Sequence, residues 1–170
     1  MISTERLILG PWEFKDWRAF EPIATDPEVM RYITRGIPWT EAQIQAWVAK
    51  QVDLYRDRGF CRWKITDASS GEMLGFCGPG MWRDQPDPEI GWWLKRSHWG
   101  RGLATEAARA ALRDAFEHRG IQRLISVATP ENVASIAIMK KLGLAFDAEF
   151  DSQGQTLVRY AIARGQSGTL

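Results

Sequence analysis

Residues 89–107 read E-I-G-W-W-L-K-R-S-H-W-G-R-G-L-A-T-E-A, and this stretch decides the fold. It begins as an apolar strand over Ile90–Leu94 and reaches Gly100-Arg101-Gly102 where an alanine-rich helical pattern starts. Two glycines at the start of a helix carry no Cβ atom that would keep a ligand away from the backbone, and the first N–H groups of a helix have no partner within it. The order of strand, glycine turn and helix therefore predicts an anion site, best suited to phosphate.

A second apolar strand follows that helix and predicts a parallel pair. The helical pattern presents small residues to a sheet and ends before Gly120. The run Leu124–Ala128 is apolar enough to be buried on both of its faces. Because a helix connects this strand to Ile90–Leu94, we expect a right-handed parallel crossover.

Hairpin signals predict that the rest of the sheet is antiparallel. Turn residues in Asp67–Gly71 join two strand-like runs, and Ser152–Gly154 joins two more near the end of the chain. We therefore expect an α/β fold with a mixed, mostly antiparallel sheet of about six or seven strands and helices on both faces. The strands so predicted cover residues 6–9, 61–66, 73–76, 90–94, 124–128, 145–150 and 157–163.

Capping residues predict where the helices begin and end. Thr40 precedes a long amphipathic pattern that stops at Gly59, and Asn132 precedes a shorter one that stops at Gly143. Asp26-Pro27 has the form of a cap followed by proline at the first helical position. The helices so predicted cover residues 15–24, 28–33, 41–58, 103–118 and 133–142.

Length and charge limit the class of protein. The chain has 170 residues, 45% of them hydrophobic, which predicts one domain over residues 1–170. Its 22 basic and 21 acidic residues leave a net charge of +1, so neither nucleic acid nor an anionic membrane is an expected partner. There is no secretory signal pattern and no run of ~20 apolar residues, and we expect a cytoplasmic protein. Two cysteines and two histidines without ligand spacing predict no metal site.

Three interpretations of the glycine turn can be weighed from the residues. A P-loop requires a Gly-Lys pair, and the chain contains none. A dinucleotide fingerprint requires a small residue at Thr105 and an acidic residue ~20 positions later, where Leu124–Ala128 supplies none. A glycine-rich helix start without any ligand remains open on these grounds.

Three segments together resemble one known family. W-G-R-G-L-A-T-E-A at 99–107, E-I-G-W-W-L at 89–94 and N-V-A-S-I-A-I-M-K-K-L-G at 132–143 are similar to the acyl-CoA-binding motifs of GNAT N-acetyltransferases. The resemblance is greatest to the branch that acetylates ribosomal-protein N-termini, and it covers residues 89–144 closely. Gly102 and Ala104 fill the last two places of the pattern [Q/R]-x-x-G-x-[G/A], whereas Trp99 stands where Gln or Arg is usual.

The resemblance implies acetyl-CoA as co-substrate and no metal. Backbone N–H groups of the glycine turn would hold the pyrophosphate, and the two parallel strands would splay to admit pantetheine. Asn132 would reach the pantetheine or serve as a plain helix cap, and Lys140 or Lys141 would meet the nucleotide phosphate or lie on a solvated face. The cofactor-binding residues so implied are Trp92, Trp93, Leu94, Gly100, Arg101, Gly102, Leu103, Ala104, Thr105, Asn132 and Lys141.

Acetyl transfer to an amine needs a base for the amine proton and an acid for the departing thiolate. Glu89 is the candidate base, with a plain strand-end charge as the alternative. Many relatives place a tyrosine acid where this chain has Met139, so Ser135 is the candidate acid, Tyr160 a second one, and solvent a third. Cys77 as an acyl-carrying nucleophile competes with inert packing of a thiol.

The acceptor site is expected between two loop regions, around Met30–Trp39 and Gly80–Pro88. Aromatic walls with carboxylates suit a cation. They do not separate a peptide N-terminus from a polyamine, an aminoglycoside or an amino acid. The residues so implied are Tyr32, Trp39, Trp82, Asp84 and Asp87.

The function implied is transfer of the acetyl group of acetyl-CoA to a primary amine, by direct attack in a ternary complex. Met139 prompts an alternative, a non-catalytic acyl-CoA-binding or sensing module. An exposed terminal strand offers an edge on which a second copy of the chain could pair to form a homodimer.

Overall fold

The computed structural model describes residues 1–83 and 85–166. Short 3-10 turns at Phe14–Asp16 and Arg96–His98 accompany the helices. The helices are α1 (Trp17–Ala24), α2 (Pro27–Met30), α3 (Glu41–Arg58), α4 (Leu103–Glu117) and α5 (Val133–Lys141). The strands are β1 (Ile2–Ser3), β2 (Leu7–Gly10), β3 (Trp63–Asp67), β4 (Met73–Gly80), β5 (Glu89–Leu94), β6 (Arg123–Ala128), β7 (Ala145–Asp151) and β8 (Thr156–Ala163).

One mixed sheet contains all the strands of the described ranges. Its order is β1-β2-β3-β4-β5-β6-β8-β7, and β5 and β6 are parallel while the other pairs are antiparallel. The expected α/β fold is therefore confirmed. The sheet has eight strands, one more than expected, because Ile2 and Ser3 pair with the edge of β2. A strand of two residues is too short to produce a period in the sequence.

Local capping fixes the long helix where the sequence predicts it. Thr40 and Gln43 form a capping box, with the Thr40 N–H donating to Gln43 Oε1 at 2.8 Å, and Gly59 ends α3 in the left-handed conformation. The helix expected over 28–33 is shorter, because the N–H groups of three following residues, among them Gly36, all donate to the Met30 carbonyl and turn the chain.

The core covers both faces of the central strands. β4 is buried at seven consecutive positions, with α1 and α4 both packed against it. Residues of α4 that face the sheet are alanines such as Ala107, Ala111 and Ala115, all fully buried, which lets the helix lie close to the strands. The sheet with its two helix layers is the rigid support of the site.

The parallel strands part after their first pair. In the described chain one register pair joins β5 to β6, Glu89 opposite Ile125, with the Ile125 N–H donating to the Pro88 carbonyl at 3.1 Å. Beyond that pair the strands diverge toward Leu94 and Ala128. In open α/β sheets ligands bind at the carboxyl ends of such strands, so this wedge is the place to seek a site.

Candidate functional site

A cleft of about 880 Å³ opens where β5 and β6 diverge. Its walls come from both strands, from the glycine turn, from the first turns of α4 and from the inner face of α5. The volume lies in the range of small-molecule and cofactor sites. The cleft-lining residues that the sequence predicted are Tyr32, Trp39, Trp82, Glu89, Trp92, Trp93, Leu94, Gly100, Gly102, Leu103, Ala104, Thr105, Asn132, Ser135 and Lys141.

The glycine turn needs its glycines for backbone conformation. Gly100 has φ +73° and Gly102 has φ +77°, values that L residues with a Cβ rarely adopt. Crowding is not the reason, since a Cβ added to Gly100 would meet no described atom within 4 Å. Gly102 is the N-cap of α4, and no side chain of the described ranges caps that helix. The first N–H groups of α4 are therefore available to an anion.

Arg101 is exposed, and it is absent from the cleft wall formed by residues 1–83 and 85–166. The Arg101 carbonyl instead accepts a hydrogen bond from Arg6 Nη1 at 3.0 Å. Arg6 is itself paired with Glu106 of α4, at 2.6 Å. The segment before β2 thus holds the main chain of the glycine turn through Arg6, which is not among the described residues of the cleft wall.

Asn132 stands at the start of α5, where it caps the helix as expected; its contact with pantetheine stays a prediction. Its Oδ1 accepts a hydrogen bond from the Ser135 N–H at 3.2 Å, so Asn132 is the helix cap, and it also lines the cleft. Of the two lysines, Lys141 lines the cleft, while Lys140 is exposed and not part of the described wall.

Glu89 is buried, whereas the alternative interpretation was that of a plain charge on the surface at a strand end. The residue is 7% exposed and forms an ion pair with Arg62 Nη2. Arg62 also lines the cleft, and sequence reasoning missed it. The available signal was a charged residue between Cys61 and Trp63, in a strand-like run that also contains Lys64.

The candidate proton donors differ in whether they line the cleft. Met139 is 1% exposed and lines the cleft, and Ser135 lines it one turn earlier on the same helix. Tyr160 is buried in β8 opposite Ser126, packs edge-on against Phe146 and does not reach the cleft wall of the described chain. Cys77 is fully buried away from that described wall, and burial raises the pKa of its thiol, so it is a neutral packing group.

Aromatic rings form the other end of the cleft. The rings of Trp39 and Trp93 lie 4.9 Å apart, and Trp47 with Phe76 continues this wall behind them. Asp87 is paired with Arg123 and is not among the described residues of the wall. Asp84 lies outside the described residues.

Thr129 is a second residue that sequence reasoning missed. It follows β6, is 3% exposed, and lines the cleft. Its Oγ1 atom has no hydrogen-bond partner in the part of the chain that the structure describes. A buried hydroxyl without a partner is rare, and this one belongs to a residue of the cleft wall. No sequence signal marked it, because a threonine at a strand end is ordinary.

Metal clusters and membrane-crossing helices are both absent from the part of the chain that the structure describes. The described residues contain no group of three or more His, Cys, Asp or Glu side chains placed to hold a metal ion. None of the helices in the described ranges combines the length and the apolar character that a membrane crossing requires.

Comparison with known proteins identifies close relatives. A family model described as "Acetyltransferase (GNAT) domain" matches residues 6–145. "Uncharacterized N-acetyltransferase YnaD" of Bacillus subtilis is 31% identical over 149 residues, which are 88% of this chain and 85% of that protein.

Solved structures share the fold over nearly the whole chain. A GNAT-family acetyltransferase from Bacillus anthracis superposes with a TM-score of 0.81 at 28% identity, covering 96% of this chain and 98% of the other. RimL, a ribosomal L7/L12 α-N-protein acetyltransferase solved with coenzyme A, has a TM-score of 0.77 at 16% identity and covers 94% and 95%. At that identity RimL supports the fold alone.

Proposed function

The chain belongs to the GNAT acetyltransferase family and is an acetyl-transferring enzyme; from that premise we propose that it transfers the acetyl group of acetyl-CoA to a primary amine by direct attack in a ternary complex. The observation that carries this proposal is the wedge between β5 and β6, which has the glycine turn at one end and the buried Glu89 carboxylate at the other.

The residues at the glycine-turn end fit a pyrophosphate. Gly100 and Gly102 bring the backbone within reach of an anion, and the uncapped N–H groups that follow point to it. Lys141 on the opposite wall supplies a positive charge toward the nucleotide end. Thr129 has a free buried hydroxyl on the pantetheine side of the wedge. Acetyl-CoA, when bound there, supplies an activated thioester.

The exposed edge of β5 fits the reacting end. Past Glu89 this strand is paired with β4 on one side and lines the cleft on the other. Main-chain N–H groups within Trp92–Leu94 that face the wedge would donate to the thioester carbonyl oxygen as negative charge develops on it. Such fixed donors need no reorganisation during the reaction.

Groups at the reacting end of the wedge carry out the bond changes and the proton transfers. The acceptor nitrogen forms a bond to the acetyl carbon, and the bond from that carbon to sulfur breaks. Glu89 takes the proton of the amine through a water molecule, and the CoA thiolate takes a proton from Ser135 or from solvent. The side chain of Met139 cannot donate a proton, which is why the acid role moves to Ser135 one turn away.

The acceptor enters along the aromatic end. Tyr32, Trp39 and Trp82 form its walls, and the amine is that of a peptide N-terminus or of a small molecule. Asp87 would act at the rim through its pair with Arg123.

A thiol-release assay tests the proposal. Acetyl-CoA is offered with a panel of N-terminal peptides, polyamines, aminoglycosides and amino acids, and release of free CoA thiol is expected with at least one acceptor. Glu89→Gln should lower kcat by about 100-fold, the usual contribution of a positioned general base. Tight acetyl-CoA binding without turnover on any acceptor would instead favour a binding module.

A further inference from the structure

Arg62 reaches Glu89 across an intervening strand. Arg62 immediately precedes β3, which pairs with one edge of β4. Glu89 is the first residue of β5, which pairs with the other edge of β4. The guanidinium passes 5.7 Å from the centroid of the Phe76 ring and ends in the ion pair with Glu89. Both side chains are nearly buried, with 12% of Arg62 and 9% of Glu89 exposed.

Two glycines leave room for that guanidinium. A Cβ atom on Gly80 would lie 2.8 Å from Arg62 Nε, and one on Gly91 would overlap Arg62 Nη1. For both glycines the three nearest atoms all belong to Arg62. Neither glycine has a positive φ, so their backbone conformation would accept alanine. The missing side chains therefore serve the arginine rather than the strand.

The main chain of Arg62 is also fixed. Its N–H donates to Oε1 of the buried Gln51 at 3.2 Å, and its carbonyl accepts from Trp12 Nε1 at 2.5 Å. A side chain clamped at its base and threaded through a slot has little freedom, so the carboxylate that it contacts has little freedom as well. A buried carboxylate without such a partner would carry a large desolvation cost.

We propose that Arg62 is a positioning residue, which holds the Glu89 carboxylate in one orientation in the cleft, and that Gly80 and Gly91 form the slot that admits it. The inference rests on the proposed role of Glu89 as the base for the amine proton. A carboxylate held in one orientation keeps an oxygen within reach of that proton or of the water that relays it. Arg62 contacts neither reactant in this assignment and acts through Glu89.

Other charged groups on the neighbouring elements have contacts of their own. Arg123 of β6 is paired with Asp87 and Asp147, and Cys77 of β4 is a buried thiol. On the cleft side Arg31 lies within 3.8 Å of Glu28, and Arg83 lies over Trp82. Arg62 is the charged partner that contacts Glu89 directly, so its removal should dominate any change.

The first test replaces Arg62 with Met, which keeps the aliphatic stem and removes the charge. We expect kcat to fall by about 10- to 100-fold while the KM for acetyl-CoA changes little, because the carboxylate loses its fixed orientation and the cofactor site is left intact. The dissociation constant for CoA should stay within about twofold. Arg62→Lys should recover part of the lost kcat but not all of it, since lysine keeps the positive charge and lacks the planar fork of the guanidinium. Arg56→Met, which removes an exposed ion pair with Asp53 on α3, is the matched control. It should change neither kcat nor the dissociation constant for CoA.

A double-mutant cycle tests the slot. Gly91→Ala should lower kcat and the melting temperature because its Cβ displaces the guanidinium, yet the same change should be harmless in an Arg62→Ala background. Gly10→Ala, whose Cβ would have an ordinary 3.7 Å contact, controls for alanine in a strand. Where Arg62 variants do not fold, the comparison of Gly91→Ala with Gly10→Ala still tests the slot, because only Gly91→Ala should lower kcat and the melting temperature.

Two results overturn the inference. One is wild-type kcat in Arg62→Met, and the other is equal damage by Gly91→Ala with and without Arg62. In both cases the wild-type enzyme still acetylates an amine, so the proposed function stands. A different outcome is that the wild-type enzyme transfers no acetyl group, while the melting temperatures still show that Gly91→Ala is harmful only when Arg62 is present. In that case the proposed function is wrong and the assignment of the slot stands.

Discussion

Arg6 donates a hydrogen bond from Nη1 to the main-chain carbonyl of Arg101 at 3.0 Å, across 95 residues of sequence. The same guanidinium pairs with Glu106 at 2.6 Å, and Thr4 Oγ1 donates to Glu106 at 2.6 Å. The glycine turn is thus held on its outer side by the segment between β1 and β2. Its inner side remains open to the cleft.

Arg6→Met should weaken CoA binding by about three- to tenfold, the equivalent of the ~1 kcal/mol that one hydrogen bond contributes. The ion pair adds little, because Arg6 is half exposed. Calorimetric titration with CoA measures the change. Arg18→Met removes a similarly placed surface cation, which lies over Trp17, and should leave affinity unchanged. Equal affinities for all three proteins would show that the turn needs no outer support.

Gly102→Ala should reduce both stability and CoA affinity. A Cβ in the left-handed region costs about 1 kcal/mol, and the strained turn would rotate its N–H groups away from the anion. Gly59→Ala is the matched control, because Gly59 has φ +73° and caps α3, away from the cleft. Thermal melts should show similar losses for both variants, while titration should show weaker CoA binding for Gly102→Ala alone. Unchanged CoA affinity in Gly102→Ala would contradict the assignment of the turn.

Features set by local interactions could be read from the sequence. Thr40 and Gly59 mark the ends of α3 because a cap and a left-handed stop act within one turn of helix. Gly102 and Asn132 were found for the same reason, since each stands at the start of a helix. The strand, turn and helix order around them is equally local.

Features that depend on strand pairing could not be predicted from the sequence. The contact of Arg62 with Glu89 needs the registers of β3 on β4 and of β4 on β5, and no short stretch of sequence contains either. Gly91 lies in the E-I-G-W-W-L segment, but the reason for a glycine there becomes visible only in the folded sheet. There the guanidinium of Arg62, which precedes the strand two places away, lies over Gly91. Asp87 was expected at the acceptor, and its pair with Arg123 likewise comes from a distant strand.

Thr129→Val should separate cofactor binding from stability. Removing a buried hydroxyl that has no partner in the described chain should leave the melting temperature equal or higher, since no hydrogen bond is lost. CoA affinity should fall by about fivefold where that hydroxyl bonds the pantetheine arm. Ser126→Ala, a buried change on the same strand wall, controls for local packing. A variant that binds CoA as tightly as the wild type would exclude this role for Thr129.

Cys61 should make the protein less stable in alkali. Burial, opposed by the nearby Arg119 and by a backbone hydrogen bond, raises the pKa of its thiol from 9.0 to about 12. The unfolded chain then loses its thiol proton near pH 9 while the folded chain keeps it, so stability is full below pH 9 and falls as pH rises toward 12. At pH 10.5 this linkage amounts to about 2 kcal/mol.

Urea unfolding at pH 7.5 and pH 10.5 measures the effect on Cys61. Cys61→Ala loses stability at both pH values through the cavity that it creates, but it should lose about 2 kcal/mol less than the wild type between them. Arg58→Ala serves as the control, because it removes an exposed cation and should keep the wild-type difference. Identical pH differences for wild type and Cys61→Ala would mean that the thiol ionises as readily folded as unfolded, and hence that it is open to solvent.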